Sequence, residues 1–278
     1  MTDSPLKPLN GRLICITRAE SQAGDLIASL TTFGASVLAV PAIEIVAPDD
    51  EDTIREAVEN LARYAWIIFT STNAVDRFFD YMVERRGIDS IPAGVKCACV
   101  GSATAASLAK HNIAPAIIPH DYKAEGLIEE FQRDTAALRK AGLDITGQEI
   151  LMPRAQKARE ILPEFLRGLG YDVVVAPVYQ TVPATLTAEQ IAALEDGADN
   201  LDAVTFTSPS TVRNFFTALE NASVAPLRLF EKVVPFSIGS VTTDTLVQLG
   251  VARERVIEAH VSTTKGLIET LQNYFAKR

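Results

Sequence analysis

Six short stretches combine hydroxyl side chains, glycine and arginine in a way that suits the binding of anionic oxygen. Two are arginine turns, Thr17-Arg18 and Pro153-Arg154. Two are hydroxyl runs, Thr70-Ser71-Thr72-Asn73 and Thr207-Ser208-Pro209-Ser210. Two are glycine turns, Gly101-Ser102-Ala103-Thr104 and Gly239-Ser240-Val241-Thr242-Thr243. Each follows an apolar run and opens a helical pattern. A helix start presents unpaired N–H groups and a partial positive charge, which favours carboxylate or phosphate. Glycine lets a ligand approach the backbone closely. Any single Ser, Thr or Asn here also reads as a plain N-cap.

The chemistry these residues do not offer is as informative. No GxGxxG follows the first apolar run and no GxxxxGK[ST] occurs, which counts against dinucleotides and P-loop nucleotides. His111, His120 and His260 are scattered without a carboxylate at motif spacing. Asp25, Asp49 and Asp50 lie away from the strand ends where a phosphoacceptor cluster would sit, and no serine nucleophile elbow is present. The pattern fits chemistry that needs neither metal nor nucleotide nor a strong acid–base pair.

The elements that must position these turns come in two copies. Gly11-Arg12-Leu13-Ile14-Cys15-Ile16-Thr17-Arg18-Ala19 matches Gly147-Gln148-Glu149-Ile150-Leu151-Met152-Pro153-Arg154-Ala155, with Arg18 and Arg154 136 residues apart. Residues 30–41 match 166–177, Ile67–Ser71 matches Val204–Ser208, Val100-Gly101-Ser102 matches Ile238-Gly239-Ser240, and Gly126–Glu129 matches Gly266–Glu269. Five blocks in one order imply an internal duplication. The first copy carries strand-like runs near 12–17, 36–40, 65–70, 96–100 and 115–118. The second carries them near 149–153, 172–176, 202–207, 233–238 and 255–258. Consecutive apolar residues mark strands buried on both faces, as in parallel sheets. Helical patterns lie between them, at 21–33, 52–63, 73–86, 102–111 and 124–140, and at 157–169, 187–196, 209–220, 240–249 and 264–276. Gly34, Gly87, Gly170 and Gly250 stand where a left-handed C′ residue ends a helix. Each copy reads as a five-stranded, doubly wound α/β unit of flavodoxin-like type. Ligands bind outside the carboxyl ends of such strands, where the six polar turns fall.

Composition sets the outer bounds. Of 278 residues, 47% are hydrophobic, enough for real cores, and the length allows two domains. Twenty-six basic against 35 acidic residues give a net charge of −9, and no basic run supplies a nucleic-acid face. Cys15, Cys97 and Cys99 lie in strand-like runs and read as buried thiols; Cys97-x-Cys99 lacks further zinc ligands. MTDSPLKPLN carries no apolar signal segment, and the apolar stretches, about six residues long, fall far short of the ~20 of a membrane span. These features point to a soluble, cytoplasmic protein. One position breaks the symmetry of the copies: Tyr179, in Val178-Tyr179-Gln180-Thr181-Val182, stands opposite Ile43. A tyrosine after a strand end can equally be a partly buried core residue.

The ordered set of these stretches resembles uroporphyrinogen-III synthase over residues 11–275. It comprises Phe69–Asn73, Val100–Thr104, Ile161-Leu162-Pro163, Val178–Val182, Phe206–Ser210 and Ile238–Thr242. The resemblance implies two domains that are not the two sequence copies. Domain one would be 1–41 with 182–278 and domain two 46–176, joined by a two-stranded hinge at 42–45 and 177–181. Tyr179 would then overhang a cleft from a hinge. The implied activity is cyclisation of hydroxymethylbilane with inversion of its last pyrrole ring and loss of water, giving uroporphyrinogen III without a cofactor. The substrate carries eight carboxylates, and the resemblance implies a monomer with transient hand-over from hydroxymethylbilane synthase.

By the same resemblance Tyr179 is the catalytic candidate, its phenol assisting departure of the hydroxyl. Thr104 and Thr242 match positions near the ligand, with Thr243 an alternative to Thr242. Ser71, Ser208, Ser240 and the amides at Gly101 and Gly239 are carboxylate candidates, together with Thr70, Ser102 and Ser210. Arg18 and Arg154 are charge partners, or solvated arginines at helix starts. Two rivals share the duplicated α/β pattern. One is a non-catalytic two-lobed binding protein for a small polar anion. The other is a sugar-phosphate isomerase, which the lack of a Glu or His at strand ends disfavours.

Overall fold

The computed structural model describes residues 7–18, 20–121, 124–195 and 200–277. The N-terminal MTDSPL, Ala19 and the last residue of the expected helix 187–196 lie outside them. In chain order the elements begin β1 (Leu13–Ile16), α1 (Glu20–Thr32), β2 (Ser36–Ala39), β3 (Ile43–Val46), α2 (Asp52–Glu59), β4 (Tyr64–Phe69), α3 (Thr72–Arg86), β5 (Lys96–Cys99), α4 (Ser102–Lys110) and α5 (Ala124–Lys140). They continue β6 (Glu149–Ala155), α6 (Ile161–Leu169), β7 (Asp172–Pro183), α7 (Ala188–Glu195), β8 (Ala203–Phe206), α8 (Pro209–Asn221), α9 (Pro226–Lys232), β9 (Val234–Ser237), α10 (Ser240–Gln248), β10 (Ile257–Glu258) and α11 (Thr264–Phe275). No helix among the described residues is long and apolar enough to cross a membrane.

The chain divides into two compact units, one of Met1–Glu44 and Val182–Arg278, the other of Ile45–Thr181. The first holds a sheet of order β10-β9-β8-β1-β2. Its pairs are parallel, with Ile14 opposite Val37, Cys15 opposite Val204, and Phe206 opposite Ser237. The second unit holds a sheet of order β3-β7-β6-β4-β5, parallel from β7 to β5, with Ile67 opposite both Leu151 and Cys97. This is an α/β fold with parallel sheets.

The sheets do not follow the two sequence copies, which corrects the expectation that each copy builds its own. β1 pairs with β8 and β6 with β4, so each sheet exchanges strands between the two halves of the chain. Arg12 and Asp202 help fix this exchange in the first unit. The Arg12 guanidinium donates to Asp202 at 2.7 Å, and the same carboxylate accepts from the Leu13 amide at 2.8 Å.

Strand alternation explains the unbroken apolar runs. Cys15, Val204 and Phe206 point into a core with Phe215, Leu219 and Leu246, while Ile14 and Ile16 point into a second core with Leu26, Leu30 and Leu271. In the other unit Ile67, Phe69 and Leu151 pack on Phe78 and Phe79, and Trp66, Ile68 and Ile150 pack on Phe131 and Leu166. Each sheet is thus covered on both faces, as parallel sheets require.

Local differences from expectation have local causes. Residues 115–118 form only a single bridge, Ile117 to Ala98. Residues 157–160 form a turn before α6. β7 runs unbroken through 177–181 to Pro183. α9 was not expected. The glycines expected to end helices do so, with φ of +94° at Gly34, +63° at Gly87, +102° at Gly170 and +97° at Gly250.

Candidate functional site

In the unit Ile45–Thr181 the strand ends gather Tyr179, Arg154, Ser71 and Gly101. Ser71 is the N-cap of α3, its Oγ accepting from the Ala74 amide at 3.1 Å. The same Oγ lies 3.3 Å from the Tyr179 hydroxyl, and either can donate. Tyr179 belongs to β7, opposite Ala155, and is only 7% exposed. Its ring packs in the core with Phe69 and Val178. The side chain thus packs within its own unit, with the phenol tip at the start of α3.

A polar cluster flanks it. The Asp49 carboxylate accepts from Gln156 Nε2 at 2.6 Å and from Gln180 Nε2 at 2.8 Å, while the Asp49 amide donates to Gln156 Oε1 at 2.9 Å. Those donated hydrogen bonds, with Lys157 nearby, hold the Asp49 carboxyl below the ordinary range. Gln180 also donates to the Ala47 carbonyl at 3.1 Å. Sequence reading missed this cluster, because Asp49 lies more than a hundred residues from either glutamine in the chain.

Arg154 is 6% exposed at the end of β6; it pairs with Glu160 and donates to the Arg159 carbonyl at 2.9 Å. It is therefore no solvated arginine. Thr70 is half-buried and its hydroxyl has no hydrogen-bond partner among the described residues. Gly101 is the N-cap of α4 with extended backbone, Ser102 is exposed, and Thr104 is buried at 6% exposure.

In the discontinuous unit the matching edge is built by β1, β8 and β9. The Thr17 hydroxyl donates to the Thr205 carbonyl at 2.7 Å and the Thr205 hydroxyl to the Cys15 carbonyl at 3.2 Å, which stitches β1 to β8. Arg18 is half-buried and makes no ion pair among the described residues. Ser208 caps α8, accepting from the Thr211 amide at 3.2 Å, with Ser210 Oγ 3.0 Å away and Thr211 Oγ1 2.6 Å away. Gly239 caps α10 with Ser240 exposed beyond it.

Thr242 and Thr243 differ sharply. Thr243 Oγ1 meets Ser237 Oγ at 2.6 Å, the Glu258 carboxylate at 2.8 Å and the Gly239 carbonyl at 3.3 Å. Thr242, 2% exposed, has no partner for its hydroxyl among the described residues. Thr104 is in the same position in the other unit: third in its helix, buried, and without a hydroxyl partner among the described residues. Both hydroxyls remain uncommitted. Two apolar neighbours went unnoticed in the sequence, Val241 and Val261, at 68% and 57% exposure beside the Gly239 turn.

Thiol chemistry is not on offer. Burial pushes the Cys15, Cys97 and Cys99 thiols up, Cys97 to about 12. His111 stacks on Phe79 with ring centroids 3.9 Å apart.

Fold and site together define an α/β protein of two doubly wound parallel units, whose strand ends carry hydroxyls, helix-start amides and a buried arginine. Comparison with known proteins gives this class its family. The model of the family described as Uroporphyrinogen-III synthase HemD matches residues 24–269. The chain is 31% identical over 272 residues to the uroporphyrinogen-III synthase of Synechococcus elongatus, covering 96% of this chain and 97% of that one. It is 27% identical over 242 residues to the uroporphyrinogen-III synthase of Chlorobaculum parvum, covering 86% and 90%. The crystal structure of uroporphyrinogen-III synthetase from Helicobacter pylori shares the fold, with a TM-score of 0.56 at 18% identity, covering 95% of this chain and 99% of that one. The chain belongs to the uroporphyrinogen-III synthase family and is an enzyme of tetrapyrrole biosynthesis, cyclising hydroxymethylbilane to uroporphyrinogen III.

Proposed function

We propose that this chain performs the cyclisation by holding the linear tetrapyrrole in one folded form, with Tyr179 as its only side-chain participant in bond breaking. The electron-rich pyrrole expels its hydroxyl as the C–O bond breaks, and the Tyr179 phenol hydrogen-bonds the departing oxygen. If Ser71 donates to the Tyr179 oxygen, the phenolic O–H is free to donate onward. The observation that carries this reading is the Tyr179–Ser71 pair at 3.3 Å, which fixes a phenol at a helix start. Unaided closure gives the symmetric isomer, so positioning decides the product.

The carboxylate receptors in this reading are the helix-start amides at Gly101 and Gly239, the hydroxyls of Thr70, Ser71, Ser102, Thr104, Ser208, Ser210, Ser240 and Thr242, and the guanidinium groups of Arg18 and Arg154. The unpartnered hydroxyls of Thr104 and Thr242 support it, and Thr243 is set aside because its hydroxyl is engaged within the fold. A hinge at 42–45 and 177–181, between 1–41 with 182–278 and 46–176, is supported by the division of the chain near 44 and 181. An ancestral duplication with exchanged ends is supported by the strand order. In one unit the sheet is β2-β1-β8-β9-β10; in the other β7-β6-β4-β5 repeats its first four places. The same reading has the chain act as a cytoplasmic monomer, supplied by hand-over from hydroxymethylbilane synthase.

The test supplies hydroxymethylbilane from that synthase and resolves the porphyrin isomers after oxidation. Isomer III well above background is expected. Isomer I alone would overturn the reading and leave the two-lobed anion-binding protein.

A further inference from the structure

Arg154 is a charged group buried with donor capacity to spare. A guanidinium has five N–H donors in a planar fork. Here Nη1 reaches the Arg159 carbonyl, Nη2 reaches Glu160, and the enclosed Nε has no acceptor among the described residues. Burying a cation is costly unless it is fully paired, so a structural arginine would be expected to gather more acceptors than these.

Its carboxylate partner has the opposite character. The Glu160 side chain is 49% exposed, against 7% for that of Arg154. Glu160 stands at the N-cap position of α6 but its side chain makes no capping bond. It follows the exposed residues Lys157, Ala158 and Arg159, and the next residue, Ile161, is an apolar side chain 46% exposed. A fixed cation is thus closed over by an exposed carboxylate whose one hydrogen bond among the described residues is to that cation.

We infer that Glu160 is a resident stand-in for a substrate carboxylate: one carboxylate of the linear tetrapyrrole takes the Arg154 fork, and Glu160 turns to solvent. This rests on the reading of hydroxymethylbilane as substrate. The exchange conserves the ion pair on Arg154, so the cation is never left alone. Releasing Glu160 costs little, because a half-exposed carboxylate regains water. The incoming carboxylate can use the fork with bidentate geometry. Arg154 is one residue from Ala155, which pairs with Tyr179 across β6 and β7. Successive residues of a strand face opposite sides of the sheet, so Arg154 takes its carboxylate on the face of β6 away from Ala155, and exposed Ile161, next in the chain to Glu160, offers apolar surface at the same turn.

Glu160→Gln, Arg154→Lys and the double variant decide the matter. KM is measured in the coupled assay, and Kd for uroporphyrin III, an octacarboxylate, from the porphyrin's own fluorescence. Glu160→Gln removes the competing charge and lowers both by about tenfold, the span of one charge-assisted hydrogen bond. Arg154→Lys raises both by at least about tenfold, and the double variant follows Arg154→Lys. A static structural pair gives the reverse for Glu160→Gln: a lowered melting temperature with KM unchanged or raised. That result overturns the proposal, and should Arg154→Lys fail to fold, the Glu160→Gln arm decides alone. If the unmodified chain makes no isomer III, the synthase reading fails, and the uroporphyrin affinities still decide the exchange.

Discussion

Tyr179 is 7% exposed and its hydroxyl is tied to a helix cap, so the phenol is presented at one place with little freedom to turn. Tyr179→Phe keeps the ring in its core and removes one long hydrogen bond, which costs about 1 kcal/mol of stability or less. Formation of isomer III falls by roughly a hundredfold, the lower range for removing a positioned proton donor, and is not abolished, because the pyrrole drives loss of the hydroxyl. Stopped-time isomer analysis and circular dichroism on the same sample check this; unchanged kinetics would remove Tyr179 from the chemistry. The two threonines after Gly239 separate structure from binding. Thr243→Val strips a buried hydroxyl from three partners and leaves Ser237 and Glu258 short of a bond, at a cost of about 1–3 kcal/mol in urea unfolding. Thr242→Val costs less stability and raises KM instead. Equal stability losses would contradict that division. The sequence could not make this distinction, since identical neighbouring residues are told apart only by what β9 and β10 bring to them. Glu160 and Asp49 were illegible for a similar reason. One lies on a turn that reads as helix, and the other meets its partners only because the fold brings distant segments of the chain together.

At the scale of elements, the strand–helix alternation was legible because strands covered on both faces are apolar at consecutive positions, as Ile14-Cys15-Ile16 and Ile67-Ile68-Phe69 are. β3 is half-buried throughout and too short for a period, so only the resemblance, with its two-stranded hinge at 42–45, pointed to a strand there. The seven residues of α9 span barely two turns and show no repeat. The Gly126 and Gly266 blocks stood out as repeats, and the structure supplies a reason for the glycines. A Cβ on Gly266 would lie 2.2 Å from the Val261 carbonyl oxygen, and one on Gly126 would lie 2.7 Å from Pro119 Cβ. Each helix start is pressed against the loop before it. At Gly239 the same addition meets only Ser262 Oγ, at 2.5 Å, the end of a side chain that can rotate. Gly266→Ala must move backbone and loses about 2 kcal/mol or more, whereas Gly239→Ala loses distinctly less. Denaturant midpoints for the pair measure the difference, and matching midpoints would show that the α11 start is not so confined.

For the whole molecule, the net charge of −9 and an anionic substrate are compatible if local amides, hydroxyls and guanidinium groups meet the carboxylates, since overall charge governs solubility and long-range steering. The chain passes between its units only at 44–45 and 181–182. Both cores of the Ile45–Thr181 unit draw on that segment alone, and both cores of the other unit draw on the remainder. Neither unit borrows core residues, and each exceeds the size at which a single core sustains itself. The segment 45–181 expressed alone therefore folds, and Trp66, the only tryptophan of the chain, reports it: buried at 5% exposure against Phe131, it keeps a blue-shifted emission that urea abolishes cooperatively. The complementary unit folds once Glu44 is joined to Val182 by a short glycine–serine linker. Its ends are already together, with the Ala184 amide donating to the Ala42 carbonyl at 3.2 Å and the Thr185 amide to the Glu44 carboxylate at 2.9 Å. Closing so short a loop costs little entropy. If the segment 45–181 instead shows the emission of a solvent-exposed tryptophan and no cooperative unfolding, the two units are one folding system in spite of their separate cores.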